Sequence, residues 1–283
     1  MFLTIGERIN ATRKNIAQAV KDRDAEAIRA EADAQILGGA LMLDINGGTT
    51  PETEKDALVW LADTIARHTN APLCIDSANP EAIEAAIEAV LAARGAQPPA
   101  RCEIAPGLPW LLINSTSAET GRYAAILPLV KKYNAAVVGL CMGDEAMPDT
   151  AQARADLAAQ LVQRLAADGV EPARVYIDPL ILPAGVDQAN GPAAIEAVAA
   201  IRAAHPGVRT VCGLTNISYG LPARALLNRT YLALLIAAGL DAAIVDTTNA
   251  KQNSVMLAAL ALTGRDPYCA DFIGAFRKQL LDI

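Results

Sequence analysis

Short, nearly continuous apolar runs recur along the chain, and between them apolar residues return every three or four positions. The runs predict strands over Leu3–Ile9, Ala40–Asn46, Pro72–Ser77, Leu111–Thr116, Ala135–Met142, Val175–Leu180, Thr210–Asn216 and Ala242–Thr248. Strands covered on both faces, as in a parallel sheet, have this unbroken apolar character. The segment 80–91 has the helical pattern. Ile83, Ile87, Val90 and Leu91 share one face, Glu81, Glu84 and Glu88 lie on the other, and Asn79-Pro80 supplies the N-cap and first-turn proline. Asp156 to Asp168 repeats the pattern and stops at Gly169. Strand starts fall about 24–40 residues apart, the length of one strand–helix unit. Eight such units, with no linker or low-complexity tract dividing them, predict a single domain over 1–283: an α/β chain folded as a (β/α)8 TIM barrel. An open doubly wound sheet is the alternative, but it usually has fewer strands, and no Gly-x-Gly-x-x-Gly follows the first one.

One stretch departs from the outer-ring pattern. Tyr231 to Leu240 is apolar nearly all round, with Leu232, Leu234, Leu235 and Ile236, whereas a helix on the outside of a barrel should show a polar face. A symmetric homodimer packed on this helix is expected, the alternative being cover by the C-terminal segment Asp266–Ile283.

Composition narrows the function classes. Of 283 residues, 53% are hydrophobic and 19% charged, which is ample for a large core and too apolar for disorder. The net charge of −7 argues against nucleic acid and against an anionic membrane surface, since such binders are normally basic. No charge-free apolar run is long enough to span a bilayer, and the N-terminus lacks a signal-peptide pattern, so a cytoplasmic location is expected. The five cysteines are scattered without Cys-x-x-Cys, and His68 and His205 each end a helical segment, so no bound metal is expected. Walker A, Gly-x-Ser-x-Gly and His-Glu-x-x-His patterns are all missing.

A barrel carries its chemistry at the C-terminal ends of its strands. Those positions hold Glu7, Arg8, Asn10, Asp44, Asn46, Asp76, Asn114, Asp178, Thr215, Asn216 and Asp246, while strand five ends in Cys141-Met142-Gly143. Lysine, as a Schiff-base barrel needs, and histidine, as a metal-hydrolase barrel needs, do not occur there. A glycosidase pair would normally stand among aromatics, which are only 4% of this chain. A ring of Asp and Asn suits a flat polar heterocycle with N–H donors and carbonyl or ring-nitrogen acceptors. Each such residue can also cap a helix or close an Asx turn, and Asp246-Thr247-Thr248-Asn249 reads as ordinary capping. Asp76 and Asp178 end apolar runs, where the cost of burial points instead to a ligand.

Several motifs resemble the pterin-binding barrels: Ile5-Gly6-Glu7-Arg8-Ile9-Asn10, Leu43-Asp44-Ile45-Asn46, Cys74-Ile75-Asp76-Ser77 and Ile113-Asn114-Ser115-Thr116. So do Tyr176-Ile177-Asp178-Pro179-Leu180 and Gly213-Leu214-Thr215-Asn216-Ile217-Ser218, and the likeness runs in order over nearly the whole chain. Within that group the chain is most similar to the 5-methyltetrahydrofolate:corrinoid protein methyltransferases, relatives of the dihydropteroate synthases. The resemblance implies 5-methyltetrahydrofolate or tetrahydrofolate as the folate substrate, and a corrinoid supplied by a partner protein. It implies that Asp76, Asn114 and Asp178 bind the pterin ring, that Asn216 lies near the methyl-bearing N5, and that Arg224 stands near the rest of the folate. Asp44 is the second catalytic candidate, as part of a route for the N5 proton. The alternatives are a dihydropteroate synthase-like condensing enzyme and a non-catalytic folate-binding subunit. Two features depart from the pattern: the link over 95–110 is long, and Tyr219 stands where a polar amide is expected.

Overall fold

The computed structural model describes residues 1–48, 50–95, 107–145 and 147–282, so most of the link over 95–110 lies outside the described residues. Eight parallel strands close in sequence order into one barrel: β1 (Leu3–Asn10), β2 (Met42–Asn46), β3 (Leu73–Asp76), β4 (Leu111–Ser117), β5 (Ala136–Leu140), β6 (Val175–Asp178), β7 (Arg209–Gly213) and β8 (Ala242–Val245). The ring is completed by β8 pairing with β1. Around it run α1 (Lys14–Asp22), α2 (Ala25–Leu37), α3 (Pro51–Ala66), α4 (Pro80–Arg94), α5 (Thr120–Lys132) and α6 (Ala151–Ala167). The remaining outer helices are α7 (Asn190–Ala204), α8 (Arg224–Ala238), α9 (Ala250–Leu262) and α10 (Ala270–Arg277).

The caps are those written in the sequence. Asn79 Oδ1 accepts from Glu81 N and Ala82 N at the start of α4, and Asn249 Oδ1 accepts from Gln252 N at the start of α9. On α4, Ile83, Ile87 and Val90 are buried as the spacing requires. Asp246 does serve its own loop, accepting from Thr248 N and Oγ1.

Because each strand is covered on both faces, each contributes two sets of side chains. Leu43, Ile45, Leu73, Ile75, Leu111, Ile113, Val137 and Ile177 point outward and pack with helix residues such as Ile28, Leu58, Leu61, Ile83 and Leu161. The alternate set fills the lumen: Leu3, Ile5, Met42, Cys74, Leu112, Ala136, Val138, Tyr176, Val211 and Ala242.

Five strands leave the sheet earlier than expected: β3 ends at Asp76, β5 at Leu140, β6 at Asp178, β7 at Gly213 and β8 at Val245. Apolar residues beyond those points are buried by loops rather than by strand pairing: Leu214 and Ile217 belong to a one-turn 3-10 helix over Leu214–Ser218. Asn216 therefore stands on this turn, not at a strand end.

The apolar stretch from Tyr231 falls mainly on α8. Tyr231, Leu232, Leu235 and Ile236 face inward, and α8 packs between α7 and α9. Its outer surface keeps Leu226 at 52% and Leu234 at 49% exposure, and α10 packs on α9.

The turn after β2 is tight enough to test. A methyl group at Gly47 would lie 2.6 Å from the Leu58 nitrogen and 2.9 Å from its Cα, both backbone atoms of α3. Gly47→Ala is expected to destabilise the protein by roughly 1–3 kcal/mol, the usual cost of overpacking. Denaturant unfolding with an unchanged midpoint would show that α3 does not press on this corner.

Candidate active site

One further inward step along each strand changes the chemistry of the lumen. The residues two places beyond Ile5, Met42, Cys74, Leu112, Val138, Tyr176, Val211 and Ala242 are Glu7, Asp44, Asp76, Asn114, Leu140, Asp178, Gly213 and Ile244. Together they line a cavity of about 420 Å³ at the C-terminal mouth, closed further by Asn10, Thr12, Arg13, Leu180, Ile181, Thr215 and Asn216. Five of the eight strand positions are carboxyls or amides. A volume of this size suits one small bicyclic ring.

Each carboxyl is held differently. Asp76 Oδ2 accepts from Asn46 Nδ2 at 2.8 Å, and Asn46 is itself fixed by Gly48 N at 2.9 Å. Burial raises the Asp76 pKa against that hydrogen bond. Asp178 Oδ1 accepts from Leu180 N at 2.8 Å, an Asx-type contact that coexists with its place in the cavity. Burial lifts Asp178 to about 6, opposed by backbone N–H groups of Leu180 and Gly213 and by the charge of Arg154 behind it. Asp44 is only 3% exposed, and its Oδ1 has no hydrogen-bond partner among the described residues. Burial, then the charge of Asp76, holds its carboxyl well above the ordinary range, with Cys74 and Asn114 acting in the other direction.

Glu7 belongs to this set although its place near a strand end gives it no role by itself. The β1–β2 register slips between Gly6 and Ile9, so that Glu7 and Arg8 together oppose Asp44. Such a bulge re-aims side chains. Arg8 turns outward to Glu31 and Asp246, and Glu7 lines the cavity with Oε1 3.0 Å from Arg13 Nη2. The signal in the sequence is parity with Leu3 and Ile5. Burial raises Glu7 to about 7, with Arg13 and Arg224 lowering it and Asp246 raising it.

Asn216 lines the cavity from its turn and is exposed on the mouth side. Its backbone carbonyl accepts from Tyr219 N, while its side-chain amide makes no hydrogen bond among the described residues, so it is not spent on an Asx turn. Arg224, the first residue of α8, is exposed and does not line the cavity. Its Nη2 donates to Thr215 O at 2.9 Å and its Nε to Ser218 Oγ at 3.1 Å, bracing the turn that carries Asn216. Tyr219 lies outside the cavity at 69% exposure.

These acids set a pH dependence for stability. Glu7 releases its proton near 4.5 in an unfolded chain and near 7 in the fold. Between those values only the folded state keeps the proton, so stability is lost as pH rises, by on the order of 3 kcal/mol for Glu7 alone. Asp178 adds to the slope in the same direction. Denaturant midpoints should fall from about pH 5 to about pH 7, and fall less in Glu7→Gln. Equal slopes in the two proteins would contradict the burial of this carboxyl.

Comparison with known proteins gives the same picture. Residues 6–246 match the family described as pterin binding enzyme. The chain is 30% identical over 282 residues to a methylcorrinoid:tetrahydrofolate methyltransferase of Eubacterium limosum, covering 98% of this chain and 97% of that one. It is 31% identical over 256 residues to the methionine synthase of Mycobacterium tuberculosis, covering 86% of this chain and 20% of that protein. In fold it is similar to a dihydropteroate synthase of Coxiella burnetii solved with pteroic acid: TM-score 0.66, 15% identity, 93% of this chain and 94% of that one. A closed barrel with its polar layer at the mouth and a family match over 6–246 lead to one assignment: the chain belongs to the pterin-binding enzyme family.

Proposed function

We propose that this protein, as a single barrel domain, is a methyltransferase that moves the N5-methyl group between methyltetrahydrofolate and the Co(I) corrinoid of a partner protein. The observation that carries the reading is an amide left free at Asn216 over a cavity whose floor is Asp76, Asn114 and Asp178. The names of its relatives in Eubacterium limosum and Mycobacterium tuberculosis support methyl transfer over the condensing chemistry of the dihydropteroate synthases.

A pterin presents ring N–H and amino donors along one edge. Asp76 and Asp178 accept them, each in its ionised form able to take two, and Asn114 both donates and accepts. Binding supplies donors to carboxyls that burial has made reluctant to ionise, and so draws their pKa values down again. Arg224 contributes positive charge beside the turn, toward the folate tail.

A tertiary amine is a poor leaving group. As the N5–carbon bond breaks, the electron pair that remains on N5 must take a proton or a strong hydrogen bond. The Asn216 amide has no useful acidity but can donate to N5 more strongly as charge develops. Asp44, whose carboxyl burial holds well above its ordinary range, lines the same cavity and is the second candidate on the route of the N5 proton. The rest of the acceleration comes from holding the methyl carbon in line with its acceptor.

Mixing the protein with methyltetrahydrofolate and chemically reduced cobalamin should produce the methylcobalamin spectrum. Asn216→Ala should slow single-turnover transfer at saturating folate by on the order of 10²-fold, with a smaller effect on affinity. Asp178→Ala should weaken folate binding by roughly 1–3 kcal/mol. No transfer by the wild type, with turnover of p-aminobenzoate and a pterin diphosphate, would establish the condensing reaction instead. Folate binding without either reaction would indicate a carrier subunit.

The outer face of α8, with Leu226 and Leu234 exposed beside the apolar groove lined by Ile195, Leu221 and Leu227, supports a homodimer. Light scattering at micromolar concentration should give the mass of two chains, and Leu234→Asp should give one. A wild-type protein with the mass of one chain would rule the dimer out.

A further inference from the structure

Among the carboxyls lining the cavity, Asp76 is tied to Asn46, Asp178 accepts from Leu180 N, and Asp44 is only 3% exposed, with Oδ1 unpartnered among the described residues. Glu7 differs in three respects. It continues the inward alternation of Leu3 and Ile5 to the cavity rim, at 14% side-chain exposure. Only Oε1 is engaged, by Arg13, and Oε2 makes no hydrogen bond among the described residues. The Leu214–Ser218 turn, which follows β7 and so lies two strands from β1 in the ring, carries Asn216 on the same cavity.

We propose that Glu7 is the proton donor of the site, passing its proton to N5 directly or through one bound water as the methyl group departs. The assignment rests on the methyl-transfer function proposed for this cavity. Atoms and electrons balance in this step. The N5–carbon bond breaks and its electron pair stays on N5. The Co(I) electron pair forms the new cobalt–carbon bond, so the corrinoid cobalt is formally oxidised to Co(III). N5 takes the Glu7 proton, and the resulting carboxylate is recharged from water at the open mouth. In the opposite direction Glu7 takes the proton back as a general base.

The electrostatic surroundings fit a group that must both hold and release a proton near neutrality. The charges facing Glu7 are Arg13 from the loop after β1, Asp44 from β2, Arg224 from the start of α8 and Asp246 from the loop after β8. Burial and the charge of Asp246 hold the proton on, and the two arginines ease it off, leaving the carboxyl at about 7. Burial and the charge of Asp76 hold the Asp44 carboxyl well above its ordinary range.

The test is single-turnover methyl transfer from saturating methyltetrahydrofolate to free, chemically reduced cobalamin, across pH. Wild-type protein should lose rate about tenfold per pH unit above a midpoint near 7. Glu7→Gln should be slower below that midpoint by on the order of 10²-fold and should lack this limb, while still binding methyltetrahydrofolate. Arg13→Ala removes the charge that favours the carboxylate, so its limb should move to higher pH. A Glu7→Gln protein that transfers at the normal rate with the normal limb overturns the assignment and leaves methyl transfer intact. If Glu7→Gln does not fold, Arg13→Ala decides: a displaced limb supports Glu7 and an unmoved limb overturns it. Wild-type protein that transfers nothing at any pH brings down the methyl-transfer function itself, and the donor role with it.

Discussion

Closing eight parallel strands into a barrel commits every second residue to the lumen, and the cavity depends on that constraint. Lower in the barrel the inward positions are filled with side chains such as Ile5, Met42, Leu112 and Tyr176, which make a packed core rather than a pore. At the mouth the same parity delivers Glu7, Asp44, Asp76, Asn114 and Asp178 to one place from five different strands. No loop has to be ordered to bring them together. Arg122 of α5 fixes one corner, donating to Ser115 O within β4 and to Ser77 O just beyond β3, and Asn46 at the end of β2 orients Asp76.

Concentrating acids at the end of an apolar core has a cost and a chemical consequence. Among the described residues, four carboxyls line the cavity with one cation, Arg13. They cannot all ionise at close range in so small a volume, and burial raises every one of them. The cavity thus stores protons and accepts hydrogen bonds at the same time. Such a cavity suits a neutral ring rich in N–H donors better than an anion.

Much of this is legible in the amino-acid sequence. Strands covered on both faces must be apolar throughout, so a carboxylate closing such a run, as at Asp76 or Asp178, stands out. Asn79 and Asn249 announce their helices because capping is local chemistry. The features that stay hidden depend on contacts between distant segments. The bulge after Glu7 that returns Ile9 to the outer face exists only in the register of β1 against β2. The turn that carries Asn216 reads as strand because Leu214 and Ile217 are buried by tertiary packing. Arg224 is drawn to Thr215 and Ser218, so its first task is to brace that turn, something its spacing from Asn216 does not reveal.

We read this polar layer as a pterin site with Asn216 poised over the reacting nitrogen. A crystal structure of the protein with methyltetrahydrofolate tests it most directly. The pteridine should lie in the cavity with its N–H edge on Asp76, Asn114 and Asp178, and the Asn216 amide should stand within about 3.2 Å of N5. A pteridine bound elsewhere, or bound there with N5 turned away from Asn216, would contradict the account.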